Sequence, residues 1–336
     1  MNTSSLPSNL EHFAPNDPLS VVFLGTAEFA VPSLERLVEN GHRVTMVVTR
    51  AARPAGRGRR ETQPPIADAA TRLGLPLFQP ERVRRTEAVA EIANERPDIL
   101  VVAAYGQILP TSVLEIPRLG CLNVHASLLP RHRGASPISA AILAGDEVGG
   151  VSIMLMDAGM DTGPVIRQAA TAIADQDDQQ SLTARLATLG ADLLVETIPS
   201  WASDAISPSP QDEALATLTR PTVRADGELD WTAPAVDLWR RIRAFSEWPQ
   251  GFTSWNGKLL RIASATYDPT TQAEPGLVIS HGPPRRVPNA AAIGTREGVL
   301  IPRMVVLEGR KPMPIDAFLA GHSSFIGSHL GINSSS

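Results

Sequence analysis

Asn123 and His125 stand two residues apart in an apolar run that begins at Cys121, stops at Ser127 and turns at Leu129-Pro130. A run rich in Val, Ile and Leu with few charges reads as a buried strand, and polar side chains that interrupt one near its end need a reason. Strand side chains alternate, so the amide and the imidazole share one face of the pleat, at the place where an open α/β sheet keeps its crevice. The amide offers hydrogen-bond donors and the imidazole can exchange a proton near neutrality. Downstream, Asp157-Ala158-Gly159-Met160-Asp161-Thr162-Gly163 makes a tight loop with two aspartates. Taken alone, these are as well explained as turn formers, the usual work of Asp beside Gly. Cys121, the single cysteine, could serve as a nucleophile, but within a buried strand it reads first as a small hydrophobe.

The elements that must position this pair follow from the hydrophobic pattern. Residues 21–24 form a strand, Gly25 makes the turn, and Thr26 is placed to N-cap a helix through Phe29, Leu34 and Leu37 to Gly41. That turn lacks the further glycines of a dinucleotide fingerprint, so a nicotinamide cofactor is discounted. A strand at 44–49 leads into residues 50–60, where five arginines interleave with glycine and proline. This stretch reads as neither helix nor strand but as an exposed, mobile, positively charged loop, suited to phosphate or simply to solvent. A helix after Pro65, a strand at 75–78, a helix at 86–93 and a strand at 99–104 continue the alternation, which predicts a parallel sheet with right-handed crossovers. Tyr105-Gly106-Gln107-Ile108-Leu109-Pro110 closes the last of these strands at the same edge as Gly25 and Ser127, so three loops converge on one crevice.

A helix at 135–144, strands at 151–156 and 164–174 and a long helix at 181–202 complete the first domain. Ser207-Pro208-Ser209-Pro210 signals a linker. Beyond it, a helix carrying Val236, Leu238, Trp239, Ile242 and Phe245 precedes short β-like runs at 258–262, 276–279, 291–293 and 298–301, the spacing of a small antiparallel barrel. Trp231, Trp239 and Trp248 read as core residues rather than base-stacking platforms. The expected division is a disordered leader at 1–18, a Rossmann-like, mostly parallel α/β domain at 19–204, a linker at 205–220, a smaller OB-like β-barrel domain at 221–332 and a disordered tail at 333–336.

Composition bounds the function classes. A chain of 336 residues with 43% hydrophobic content supports two ordinary cores. No apolar run reaches the roughly eighteen residues of a membrane span, and the first twenty residues have neither the basic start nor the apolar segment of a signal peptide, so a cytoplasmic protein without membrane contact is expected. One cysteine cannot form an intrachain disulfide, which suits a reducing compartment. The net charge of -5 hides an asymmetry: from Pro221 onward there are 12 Lys or Arg against 10 Asp or Glu, leaving 18 against 25 before it. A mildly basic C-terminal third points to a polyanionic partner. No clustered His, Cys or Asp has metal-ligand spacing, so no metal is expected.

Three stretches together, Asn123-Val124-His125-Ala126-Ser127-Leu128-Leu129-Pro130, the Asp157 to Gly163 loop and Tyr105 to Pro110, resemble the folate-dependent formyltransferase family. The likeness runs from Val21 to about Leu330. Gly25-Thr26-x-x-Phe29, Arg53-Pro54-Ala55-Gly56-Arg57-Gly58, Pro130-Arg131-x-Arg133-Gly134-Ala135 and Ile242-Arg243-Ala244-Phe245-x-x-Trp248-Pro249 are similar to those members that formylate initiator tRNA. The resemblance implies 10-formyltetrahydrofolate as donor and methionyl initiator tRNA as acceptor, with direct attack of the amine through a tetrahedral intermediate in a monomeric enzyme. It implies that Asn123 and His125 polarise the formyl oxygen while Asp161 helps remove the amine proton. It also implies that Ser127, Leu128, Leu129 and Pro130, with Gln107, Ile108, Asp157 and Met160, line the folate pocket, and that Arg53, Arg57, Arg59 and Arg60 meet the tRNA, Arg57 foremost. Two positions depart from the family pattern: Ala52 stands where an acidic residue is common, and Leu218-Thr219-Arg220-Pro221 replaces a lysine-bearing motif, so only Arg220 is left to offer a cation there. A formyltransferase acting on a nucleotide-linked amino sugar and a non-catalytic RNA-binding relative are the alternatives, and the arginine-rich loop weighs against the first.

Overall fold

The computed structural model describes residues 17–55, 60–282 and 290–331, and the side chains of 53–55, 60 and 61 fall outside that description. The expected leader and tail therefore lie largely outside the described residues, as do Arg57 and Arg59.

The chain opens with strand β1 (Ser20–Gly25), a short 3-10 turn, helix α1 (Val31–Glu39) and strand β2 (Arg43–Val48). A short antiparallel hairpin, β3 (Arg53–Ala55) and β4 (Arg60–Thr62), follows where neither helix nor strand was expected. Helix α2 (Pro65–Arg72), strand β5 (Leu77–Phe78), helix α3 (Thr86–Asn94), strand β6 (Ile99–Ala103), the single turn α4 (Thr111–Leu114) and strand β7 (Cys121–His125) continue the alternation. Next come β8 (Arg133–Gly134), α5 (Pro137–Ala144), the hairpin β9 (Val148–Leu155) and β10 (Val165–Ala172), and α6 (Gln179–Ala202). Seven strands form one sheet in the order β10-β9-β7-β6-β1-β2-β5. β5, β2, β1, β6 and β7 are parallel, and β9 and β10 add an antiparallel edge. β1, β6 and β7 are buried along their whole lengths, as strands covered on both faces must be. One face packs Val22, Leu24, Met46, Val48, Leu100 and Val102 around Tyr105 and Cys121.

Strand order runs outward in both directions from the β1/β6 pair, so the switch point lies there, with the carboxyl ends of β1, β6 and β7 side by side. Thr26, expected as a helix cap, does something else. The helix is capped at Ala30 without a side-chain bond, and Thr26 Oγ1 donates to the Tyr105 carbonyl at 2.8 Å, tying the loop after β1 to the loop after β6.

The described residues separate into two compact units, the second comprising 138–147, 173–182, 220–282 and 290–331. Residues 205–219 of the expected linker belong to the first unit. Ser209 bridges to Val165, and β11 (Leu218–Thr219) pairs in parallel with β8. The second unit carries α7 (Ala235–Ala244), then β12 (Gly251–Trp255), β13 (Lys258–Asp268), β14 (Val278–Ser280), β15 (Ala291–Gly294), β16 (Val299–Leu307), β17 (Met313–Pro314) and α8 (Ile315–Gly321). Its sheet is antiparallel, in the order β12-β13-β16-β15-β14 with β17 added to β16. Register shifts between Ile262 and Ala265 bend β13 as it crosses β16, and the result is a curled half-barrel. Trp231 and Trp255 are buried in its core, whereas Trp248 is 54% exposed, against the expectation that it is a core residue. Trp239 packs at the edge of that core beneath the Arg243 guanidinium, 4.2 Å from the ring centroid.

Candidate active site

β7 positions the first two groups. The strand pairs with β6 on one side and β9 on the other, so its backbone is fixed, and its pleat sends Asn123 and His125 to the same face. Both side chains are nearly buried. His125 Nε2 lies 3.0 Å from the His132 carbonyl, which can only accept, so Nε2 carries the hydrogen and Nδ1 is the ring atom turned toward Asp161. Nδ1 stands 3.6 Å from Asp161 Oδ2.

Asp161 comes from the loop between β9 and β10. Its φ of 56° is left-handed, a conformation Asp tolerates better than most side chains, and it turns the carboxylate back toward β7. Asn123 Nδ2 donates to Asp161 Oδ1 at 3.3 Å, and the Gly134 amide donates to Oδ2 at 2.8 Å. Gly163 closes the loop where a Cβ would stand 1.9 Å from the Leu155 carbonyl, so no larger residue fits. The amide, imidazole and carboxylate are thus brought together at the carboxyl end of one strand. Chemically, the cluster offers hydrogen-bond donors for a developing oxyanion and a proton-exchanging pair beside it.

The 127–130 segment is anchored from below. Ser152, fully buried on β9, donates to the Ser127 carbonyl at 2.7 Å and accepts from the Leu129 amide at 3.0 Å, while Gln168 Nε2 donates to the Leu129 carbonyl at 2.9 Å. Ser127 Oγ donates to the Arg131 carbonyl at 2.6 Å, and Leu129-Pro130 is cis. Leu128 and Pro130 are half-buried, and Leu129 is buried.

Gln107 anchors the loop after β6 by accepting from the Val83 amide at 3.0 Å, so its side chain is engaged, and the next residue, Ile108, is 90% exposed. Tyr105 is buried with no partner for its hydroxyl among the described residues, and burial pushes its pKa up to about 12 against the opposing charge of Arg50. Asp157 and Met160 are exposed. Asp157 Oδ1 accepts from the Gly159 amide at 3.0 Å and from Thr162 Oγ1 at 2.7 Å, so that carboxylate folds its own loop, the turn-forming role its position beside glycine suggested.

Four residues of this neighbourhood escaped the sequence reading because they sit in the presumed linker. Gln211 Nε2 donates to the carbonyls of Asp161 and Gly163, Glu213 pairs with Arg133, Thr217 Oγ1 accepts from the His132 amide at 2.8 Å, and Thr219 Oγ1 donates to the Arg133 carbonyl at 3.0 Å. The one usable signal was the cluster of hydrogen-bonding side chains at 211–219 after the prolines. Arg220, the remaining cation at the departed lysine motif, is engaged by the Asp226 carboxylate. Among the described residues no group of three His, Cys, Asp or Glu could hold a metal ion, and no helix is long and apolar enough to cross a membrane.

Residues 19–198 match the formyl transferase family, and residues 222–323 match the formyl transferase C-terminal domain. The methionyl-tRNA formyltransferase of Roseiflexus sp. (strain RS-1) is 45% identical over 317 residues, 94% of this chain and 96% of that protein. That of Chloroflexus aggregans (strain MD-66 / DSM 9485) is 45% identical over 307 residues, 90% of this chain and 97% of that protein. Among solved structures, HypX from Aquifex aeolicus in complex with tetrahydrofolic acid superposes with a TM-score of 0.61 at 17% identity, over 91% of this chain and 47% of that one.

Proposed function

Because the chain belongs to the formyltransferase family, in the branch of the methionyl-tRNA formyltransferases, we propose that Asn123, His125 and Asp161 carry the transfer of a formyl group from 10-formyltetrahydrofolate to the α-amine of methionyl initiator tRNA. The observation that supports this most is the convergence of the β7 amide and imidazole on a single left-handed aspartate, at 3.3 and 3.6 Å.

In the reaction the uncharged amine attacks the formyl carbon, forming a C–N bond and a tetrahedral oxyanion. The Asn123 amide gives one hydrogen to Asp161, and among the described residues nothing takes the other, which leaves it for that oxyanion. Asp161 draws the amine proton through water to Nδ1 of the imidazole, which the His132 carbonyl holds at Nε2, and the carboxylate stabilises the imidazolium that results. Collapse of the intermediate breaks the bond to N10 of the folate, which leaves with the proton that the amine lost. No covalent enzyme intermediate is required.

Ser127, Leu128, Leu129 and Pro130 form the wall against which the folate would rest, Gln107 and Ile108 offer backbone to its pterin edge, and Asp157 and Met160 stand at the rim. In this reading residues 19–204 form the catalytic domain and 221–332 the tRNA-contacting domain, joined through 205–220. Arg53, Arg57, Arg59 and Arg60 supply phosphate contacts to the acceptor end. Likeness to tRNA-formylating relatives along almost the whole chain favours the tRNA over an amino sugar as acceptor. The protein is taken as a cytoplasmic monomer. Purified protein should formylate charged initiator tRNA from 10-formyltetrahydrofolate, and no transfer under those conditions would overturn the reading. Arg57→Ala should raise KM for the tRNA and leave folate binding unchanged; unaltered tRNA kinetics would remove the loop from the proposal.

A further inference from the structure

We infer that Gln211 is a positioning residue for Asp161, fixing the loop that carries the carboxylate so that it meets Asn123 and His125; this rests on the formyl transfer proposed above. The Gln211 carboxamide makes three bonds. Nε2 donates to the carbonyls of Asp161 at 2.8 Å and Gly163 at 2.7 Å, and Oε1 accepts from Arg133 Nε at 3.0 Å. A guanidinium has no acceptor, so the amide can face only one way, oxygen to the arginine and both hydrogens to the loop. Arg133 is itself held: its side chain is 3% exposed, and its two terminal nitrogens grip the two oxygens of Glu213 at 2.9 and 2.7 Å. This planar fork-to-fork pairing fixes direction as well as distance.

Asp161 is thereby held from two sides. Gly134, the residue after Arg133, donates its amide to the carboxylate, while Gln211 takes the backbone carbonyl behind it. The left-handed backbone at Asp161 is a conformation that persists only where the surroundings over-determine it. Two carbonyls of that turn are satisfied by one amide, so losing the amide releases both, and the loop can relax away from β7. The segments at 107–108 and 127–130 are anchored by groups other than Gln211, the first by the Val83 amide and the second by Ser152, Gln168 and the Thr217 amide.

The test is steady-state kinetics on the full chain carrying Gln211→Met, which keeps the length of the side chain and removes its donors and acceptor. A displacement of about 1 Å at an acid-base group costs up to about 10²-fold in rate, so kcat should fall by about that factor while KM for 10-formyltetrahydrofolate and for charged tRNA stays put. Gln211→Glu restores an acceptor for Arg133 but offers no donor, and it should be as slow as the methionine variant. A glutamate variant with the wild-type kcat would assign the residue to Arg133 alone and overturn the inference, as would a methionine variant that keeps its kcat or loses only KM. Should the methionine variant fail to fold, Gln211→Asn, whose amide is drawn back by one methylene, decides by the same split. An inactive wild-type protein in that assay would sink the functional reading instead, which separates the two failures.

Discussion

His125 and Asp161 meet at 3.6 Å, beyond a hydrogen bond, while each is bonded firmly elsewhere, His125 to the His132 carbonyl and Asp161 to the Gly134 amide. A pair held apart in this way is anchored without being consumed, and both groups remain able to respond to a substrate between them. Replacing either with alanine should lower kcat by about 10²–10⁴-fold and leave tRNA binding intact, as read by single-turnover formylation and by filter binding on the same preparation. Asn123→Ala should cost about 10²–10³-fold, the scale of one lost oxyanion donor. The shared face of Asn123 and His125 could be read from the sequence, because side chains two apart in a strand alternate together, while a satisfied core histidine remained the competing explanation until the resemblance was added. Asp161 could be named only by resemblance, since on residue type it was equivalent to Asp157, and only the φ of 56° and the Gly134 amide distinguish the carboxylate that faces β7 from the one that closes its own turn.

Elements impose a second requirement, close approach of backbones. Gly134 lies in β8 with a φ of 103°, and a Cβ there would stand 2.4 Å from the Thr219 carbonyl of β11. Gly134→Ala should therefore push β11 away from β8 and pull the amide off Asp161, lowering both kcat and the thermal midpoint; the left-handed strain alone is about 1–2 kcal/mol. A variant with unchanged melting and rate would contradict that geometry. The central sheet was legible because fully apolar strands alternate with amphipathic helices, a pattern with one common solution. The antiparallel turn of β9 and β10 and the pairing of β11 with β8 were not. The first requires knowing the direction of a strand, and the second joins residues 85 apart through two short segments with no periodicity. Thr26 shows the same limit at smaller scale, since a cap and a loop-to-loop tie draw on the same hydroxyl.

At the scale of the whole molecule, Cys121 is a built-in reporter. It is the single cysteine, it is buried, and burial drives its thiol up to about 12. A thiol reagent at pH 8 should label the native protein only as fast as the sheet opens, and stoichiometrically once denatured, because the thiolate is the nucleophile. Rapid labelling of native protein would show that β7 opens locally. The pairing of β11 with β8 carries the first unit past the helix at which an α/β sheet domain would ordinarily close. The match to the N-terminal family domain stops at residue 198, yet Gln211, Glu213, Thr217 and Thr219 all contribute to the neighbourhood of Asp161. A chain ending after α6 would keep Asn123, His125 and Asp161 and lose Gln211, Glu213, Thr217 and Thr219, so a complete site should need the chain at least through Thr219. In the full chain, replacing both Thr217 and Thr219 with valine should lower kcat, and a double variant with unchanged kcat would remove the strap at 211–219 from the site.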